Sequence, residues 1–292
     1  MPEPSSQYGQ AEEILSLFEN LGYASGTIFE AGAHSPHRLS NSRPFLKKGW
    51  TAYLSECDKA FVMEWNESGL QNFILDDSGI PNHSSGLNDV LRRLLVPNSL
   101  NVLFLDIDGG EYELIRNLEF RPDVICVEYE NSLPMLVSFA PSSVRTHAQA
   151  SSWSFFTMMQ GKKYFFAKSY FGDLLFFSQE FVLSHRLHSK MPLGYEAYLK
   201  YAPTAGYNLY PVLMNQCHGG DGVKFYEHKL DVFIREGGIA VAERQFAYLC
   251  QAIHSFLPVA MLRGAEYQHQ LTESFQKFVD KFSIELSKRN DR

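Results

Sequence analysis

Five short runs in the first half of the chain lead into acids: Glu30-Ala31-Gly32-Ala33-His34, Ser55-Glu56, Asp76-Asp77, Asp106-Ile107-Asp108-Gly109-Gly110 and Glu128-Tyr129-Glu130-Asn131. Carboxylates accept hydrogen bonds, take protons and bind hard cations. A rim built from them suits a cationic or hydroxyl-rich ligand, and poorly suits a nucleotide held chiefly through its phosphates. A lone acid after a strand is most often a helix cap or a solvated loop residue; five in succession favour a site. Asp106 and Asp108 would share a face on a continuing strand, and with Glu128 they offer hard oxygens of the kind Mg²⁺ or Ca²⁺ takes. No established ligand spacing is matched, so the expectation is a site without a metal. The pair His34 and His37 needs a helical turn to converge, and Pro36 lies between them.

The elements that must carry these acids alternate. Residues 27–30, 51–55, 71–75, 100–105 and 124–128 read as strands, and 43–48, 58–65, 88–95 and 111–118 as helices, with Pro97 stopping the third helix. This alternation predicts a doubly wound, mostly parallel α/β sheet with right-handed crossovers. In such sheets ligands bind outside the carboxyl ends of the strands, where all five acidic runs fall. Residues 1–26 read as an N-terminal helix, with Ile14, Leu15, Leu17, Phe18 and Leu21 on one face. Residues 27–236 read as the α/β domain, with a lid or insertion around 134–200; within it 134–170 shows no legible elements and 195–202 reads as a helix, and beyond it 206–214 and 232–235 read as extended. Residues 237–292 read as a helical C-terminal extension. Its apolar positions Phe275, Phe278, Val279, Phe282 and Ile284 leave a charged opposite face, as in a helix covering the site mouth or forming a homodimer seam.

Composition narrows the function. The 26 basic and 33 acidic side chains give a net charge of −7, which argues against nucleic acid as a partner. No apolar run approaches the ~18 to 20 residues of a membrane span. The first residues lack a basic segment followed by an apolar one, and the four cysteines lie far apart; a cytoplasmic protein with reduced thiols is expected. The chain holds 23 Phe and 15 Tyr, crowded between Phe155 and Tyr226. That crowding predicts a broad, partly apolar surface for a small-molecule acceptor.

A resemblance makes this specific. The run Ile28-Phe29-Glu30-Ala31-Gly32-Ala33-His34, then Ser40-Asn41-Ser42, Gly49-Trp50 and Leu54-Ser55-Glu56 resembles the opening of FkbM-like S-adenosylmethionine-dependent methyltransferases. Leu105-Asp106-Ile107-Asp108-Gly109-Gly110-Glu111-Tyr112 and Val127-Glu128-Tyr129-Glu130-Asn131 are similar to the same family's fourth and fifth strand ends. The likeness covers residues 27–131. It implies the class I methyltransferase (Rossmann-like) fold, S-adenosylmethionine as cofactor, and methyl transfer to a hydroxyl or amine of a sugar or secondary-metabolite intermediate.

Under that resemblance Glu30, Gly32, Ala33, Asn41, Glu56, Asp77 and Asp106 surround the cofactor. Gly32 allows close backbone approach, or simply makes a tight turn; Glu30 attracts the ammonium, directly or through water, Glu56 accepts from the ribose hydroxyls, Asp76 or Asp77 meets the adenine amino group, and Asp106 lies nearest the sulfonium. Asp108, Glu128 and His218 are the bases expected to take the acceptor's proton, with His34, His37 and His147 as further candidates; Tyr112 and Tyr129 shape the acceptor side or fill the core. The chain departs from the family at Ser35-Pro36, where Asp-Gly is common, at Cys57, where proline is usual, and at Gly110. Those departures keep two other readings open: use of the sulfonium for cyclisation or alkyl transfer, and a non-catalytic scaffold on the same fold.

Overall fold

The structure, a computed structural model, describes residues 6–131, 133, 137–141, 149–170, 172–201, 280 and 287. In chain order the first elements are α1 (Gln10–Asn20), β1 (Thr27–Ala31), α2 (Ser42–Lys47), β2 (Thr51–Ser55), α3 (Lys59–Glu67) and β3 (Phe73–Asp76). They are followed by α4 (Gly86–Arg93), β4 (Val102–Leu105), α5 (Glu111–Arg116) and β5 (Val124–Glu128). After these come α6 (Ser152–Gly161), β6 (Tyr164–Ser169), β7 (Asp173–Ser178), α7 (Gln179–Ser184) and α8 (Tyr195–Tyr201). The five expected strands and the helices between them are all present.

The strands form one seven-stranded sheet in the order β3-β2-β1-β4-β5-β7-β6. The first five pair in parallel, while β7 runs antiparallel to both β5 and β6. The central strands are buried on both faces, as expected for a sheet covered by helices; β4 (VLFL) has no exposed position, whereas edge strand β3 exposes Ile74. The chain winds outward from β1 to β2 and β3, then crosses back to lay β4 on the other side of β1. This reversal places the switch point between the carboxyl ends of β1 and β4.

Strands β6 and β7 lie within the stretch read as a lid or insertion. Every residue of β7 is buried, so its sequence, DLLFFS, shows no alternation that would betray a strand. The aromatic crowd also differs from expectation. Phe155, Phe166, Phe176, Phe177, Phe181 and Tyr198 are all fully buried, so among the described residues these rings build core rather than an acceptor surface. The N-terminal helix belongs to the same body: Ile14, Leu15 and Phe18 share a hydrophobic cluster with Trp50, Phe104 and Phe177, and the Phe18 ring meets Trp50 edge-on at 5.2 Å.

Two compact units divide the chain. One comprises Met1–Tyr129, Ser143–Gln149 and Phe156–Ala202, and contains the whole sheet; the other comprises Glu130–Ser142, Ala150–Phe155 and Pro203–Arg292. Within the second, Ser151 donates its amide to Phe139 O (2.8 Å) and Phe139 donates its own to Ser154 Oγ (2.9 Å). The expected strands at 206–214 and 232–235, the His218 segment and, apart from residues 280 and 287, the C-terminal extension lie outside the described residues. No helix among the described residues is long and apolar enough to cross a membrane.

Candidate functional site

The site begins where β1 ends. Gly32 has φ +75°, and a Cβ added there would sit 1.7 Å from the carbonyl oxygen of Asp106. The ends of β1 and β4 therefore touch through backbone, which only glycine permits. The amide of Gly32 donates to Ser55 O (3.0 Å), leading the loop across the end of β2. There the Glu56 carboxylate accepts the amides of His34 (2.8 Å) and Asp58 (2.7 Å), one on each oxygen. Trp65 Nε1 donates to His34 O (2.8 Å), and the His34 ring lies 3.9 Å from the Phe61 ring. Ser35 Oγ donates to Glu64 of α3, so the unusual Ser35-Pro36 loop is tied down.

Glu30 is bound by the start of α2. It is fully buried, and its two oxygens accept the amides of Asn41 and Ser42, each at 2.9 Å, at the start of α2. Burial pushes its carboxyl up from 4.5 to about 7, against the pull of hydrogen bonds from Ser42 and Asn41. Asn41 Oδ1 has no partner. Glu30 thus fixes the backbone at the start of α2, which carries Asn41.

On the other side of the switch point β4 ends at Leu105, and the loop after it carries three consecutive positive φ angles: Asp108 (60°), Gly109 (129°) and Gly110 (96°). Asp106 and Asp108 therefore do not share a strand face. The loop itself brings them together, and ligand oxygens of Asp106, Asp108 and Glu128 all lie within 4.8 Å of one another. Burial raises the Asp106 carboxyl. Burial and the nearby Asp106 and Glu111 charges hold Glu128 well above the usual carboxylate range. Gln149 Nε2 donates to Glu128 (2.8 Å).

Behind this pair stand two acids that sequence reasoning did not single out. Glu111 is fully buried; its Oε1 accepts Gly109 N (2.7 Å) and Ile107 N (3.2 Å), while Oε2 has no partner. Asp173, the first residue of β7, accepts from Gln10 Nε2 (3.1 Å). Burial, then the Asp106 and Glu111 charges, push Asp173 from 3.8 up to about 8; burial likewise takes Glu111 from 4.5 to about 7. The folded chain therefore binds more protons than the unfolded chain above the ordinary carboxylate range. Stability is expected to be greatest below about pH 4.5 as far as these groups act, and to fall as pH rises through 7 and 8. Urea unfolding at successive pH values should show midpoints declining across that window, and a midpoint rising with pH would contradict this.

These residues surround a cavity of about 550 Å³, within the range of small-molecule sites. Of the residues expected in a site, Gly32, Asn41, Glu56, Asp106, Asp108 and Glu128 line it, as does His34. Others do not: Glu30 lies under Asn41, Ala33 is wholly in the core, Asp77 is exposed on the surface, and the further candidates His37, Tyr112 and Tyr129 are not among the lining residues. The neighbour of Asp77, Asp76, is buried and held by Arg93 (2.6 Å). His218 and His147 lie outside the described residues. The walls opposite the acids come from Phe61, Ile80, Pro81 and Asn82, and from Gln7 and Gln10 at the start of α1. The turn residues Gly79 and Pro81 were a signal for the first group; nothing local marks the two glutamines. Asn41 is 9% exposed and Ser55 1%, both line the cavity, and neither Asn41 Oδ1 nor Ser55 Oγ has a partner. Buried acceptors left unbonded are costly, and a ligand that donates hydrogen bonds would satisfy them. Comparison of the chain with protein-family models, with curated proteins and with solved structures found no match, so the meaning of the site rests on its own residues.

Proposed function

We propose that this chain is an S-adenosylmethionine-dependent methyltransferase acting on a hydroxyl or amine of a small molecule. The observation that carries the reading is the cavity at the switch point between β1 and β4, rimmed by carboxylates and unbonded acceptors. The parallel strands with an antiparallel β7 beside β5 support the methyltransferase type of sheet, and the Glu30 to Glu56 and Asp106 to Asn131 motifs support the family likeness.

The donor set fits the cofactor. Each Glu56 oxygen accepts one backbone amide, and a carboxylate offers about four acceptor sites; two remain for the ribose hydroxyls. Asn41 Oδ1 and Ser55 Oγ are free to accept from the ammonium. Phe61, Ile80 and Pro81 make an apolar wall for the adenine ring. When bound, S-adenosylmethionine supplies a methyl group on a sulfonium. Asp106 offers the positive sulfur a favourable field, and Asp108 and Glu128 stand on the side where an acceptor enters, to orient it and receive its proton. The acceptor's oxygen or nitrogen would take the methyl carbon as its bond to sulfur breaks, the electron pair staying on sulfur, and the acceptor's proton would pass to Asp108 or Glu128.

Mass spectrometry of the spent cofactor tests this. Incubation with S-adenosylmethionine and a pool of small hydroxylated and amine compounds should yield S-adenosylhomocysteine together with a methylated product. Methylthioadenosine instead would mean that the sulfonium serves cyclisation or alkyl transfer. Turnover to neither product would favour a non-catalytic scaffold.

A further inference from the structure

We propose that Gln10, a residue of the N-terminal helix held in place by Asp173, determines the specificity of the cavity: it donates a side-chain N–H to the acceptor's oxygen and so selects a hydroxyl over an amine. Its role toward the acceptor rests on the methyltransferase reading.

The carboxamide of Gln10 is fixed at both ends. Its Oε1 accepts the amide of Tyr8 (2.9 Å), and its Nε2 donates to Asp173 Oδ2 (3.1 Å). A backbone N–H can only donate, so the first bond decides which end of the carboxamide is oxygen. The nitrogen at the other end carries two hydrogens. One goes to Asp173, and the second has no partner among the described residues. Gln10 is 2% exposed and lines the cavity. A buried donor without an acceptor is costly, so this hydrogen marks where a ligand oxygen belongs.

The backbone around Gln10 is equally constrained. Ser6 Oγ accepts the amide of Ala11 (3.3 Å) and donates to Glu12, which folds the segment before α1 onto its first turn. Ala11 and Ile14 then anchor that turn in the core.

Topology places Gln10 at the end of the cavity away from the groups assigned to the cofactor. Asp173 lies opposite Glu128 in the antiparallel pairing of β5 and β7, and directly opposed residues share a face. Glu128 also lines the cavity. In the order β1-β4-β5-β7 the last strand is three steps from β1, about 14 Å at ordinary strand spacing. Asn41, Ser55 and Glu56 follow β1 and β2, whereas the Gln10 donor stands with Asp173 beyond β5.

The selectivity follows from lone pairs. A hydroxyl oxygen has two: one attacks the methyl carbon while the other accepts from Gln10, and the hydroxyl hydrogen goes to a carboxylate. A neutral amine has one, which cannot accept from Gln10 and attack at once. An ammonium has none and meets the N–H as a second positive end. A site built to hydrogen-bond a group discriminates strongly against the analogue that cannot complete the bond.

The test uses matched hydroxyl and amine compounds: D-glucose with D-glucosamine, D-galactose with D-galactosamine, and catechol with o-phenylenediamine. Each is incubated with the full chain and S-adenosylmethionine, and mass spectrometry locates the methyl group. KM and kcat for a methylated compound are then compared in wild type, Gln10→Glu and Gln10→Leu. The glutamate variant keeps an oxygen for the Tyr8 amide and can share a proton with Asp173, but has no hydrogen left for a ligand; the leucine variant removes every polar group. Methylation on oxygen is expected, with KM raised about 5- to 10-fold in both variants and kcat within about threefold of wild type, the pattern of a lost binding contact. Affinity for S-adenosylhomocysteine should be unchanged, which a disturbed fold would not allow. Methylation on nitrogen, or a KM within twofold of wild type in both variants, overturns the proposal. So does the absence of any methylated product from a wild-type chain that binds S-adenosylhomocysteine. Absence of both that binding and turnover sinks the methyltransferase reading, and the role of Gln10 with it.

Discussion

Gly32→Ala is expected to destabilise the chain by roughly 2 to 5 kcal/mol and to abolish binding of S-adenosylhomocysteine. Two costs combine. The backbone at Gly32 has φ +75°, a region where a Cβ costs about 1 to 2 kcal/mol. The added methyl would also lie 1.7 Å from Asp106 O and 2.9 Å from the Asp106 carbonyl carbon. Those are backbone atoms at the end of a buried strand, so they cannot swing aside as a side-chain tip would. Relief requires β1 and β4 to part at their carboxyl ends, which moves Asp106 and with it the carboxylate cluster. Urea denaturation combined with ligand titration measures both effects. A variant with wild-type midpoint and affinity would show that the strand ends are not in the contact described.

The second large effect is expected at Glu56. On the proposed reading, Glu56→Ala takes away the acceptor for two ribose hydroxyls, and charged hydrogen bonds contribute about 1.5 to 3 kcal/mol each. A loss of roughly 3 kcal/mol corresponds to about a 100-fold weaker affinity for S-adenosylhomocysteine. The variant also releases the amides of His34 and Asp58, so some loss of stability accompanies it. Glu56→Gln separates the two roles: it retains one carbonyl acceptor and should fall between wild type and Glu56→Ala in affinity. Calorimetric affinities of the two variants within threefold of wild type would remove Glu56 from the cofactor site.

Much of this site was legible because strand ends are. Buried parallel strands read as apolar runs bounded by Gly, Pro and acids, so β2 and β5 emerged at 51–55 and 124–128, and five of the acids or turns after the strands, Gly32, Glu56, Asp106, Asp108 and Glu128, do line the cavity. What failed was the direction of individual side chains. Glu30 sits at the right place in the chain, but its carboxylate is engaged by the amides that begin α2, and Asn41 faces the cavity in its stead. Asp76 and Asp77 are adjacent and point differently, one buried against Arg93 and the other exposed. The pleat decides that, because successive residues point to opposite faces, and the third strand runs to Asp76 rather than to the expected residue 75. Glu111, Asp173 and Gln10 meet the site through contacts distant in sequence, for which no local spacing exists. Strand β7 was hidden for the opposite reason: uniform burial erases the alternation that marks a strand with one wet face.

The aromatic excess illustrates the same limit. Rings crowded after Phe155 suggested a substrate surface, yet the Phe166 and Phe176 rings pack at 5.7 Å and those of Phe166 and Tyr198 at 5.4 Å, inside the core. The apolar part of the cavity wall comes instead from Phe61, Ile80 and Pro81, residues too few and scattered to affect composition.

The central claim, that the cavity between the ends of β1 and β4 takes S-adenosylmethionine, is tested most directly by isothermal titration of the full chain with S-adenosylhomocysteine. The account predicts saturable one-to-one binding that is lost in Gly32→Ala and strongly weakened in Glu56→Ala. Absence of binding by the wild-type chain at high micromolar ligand would contradict it.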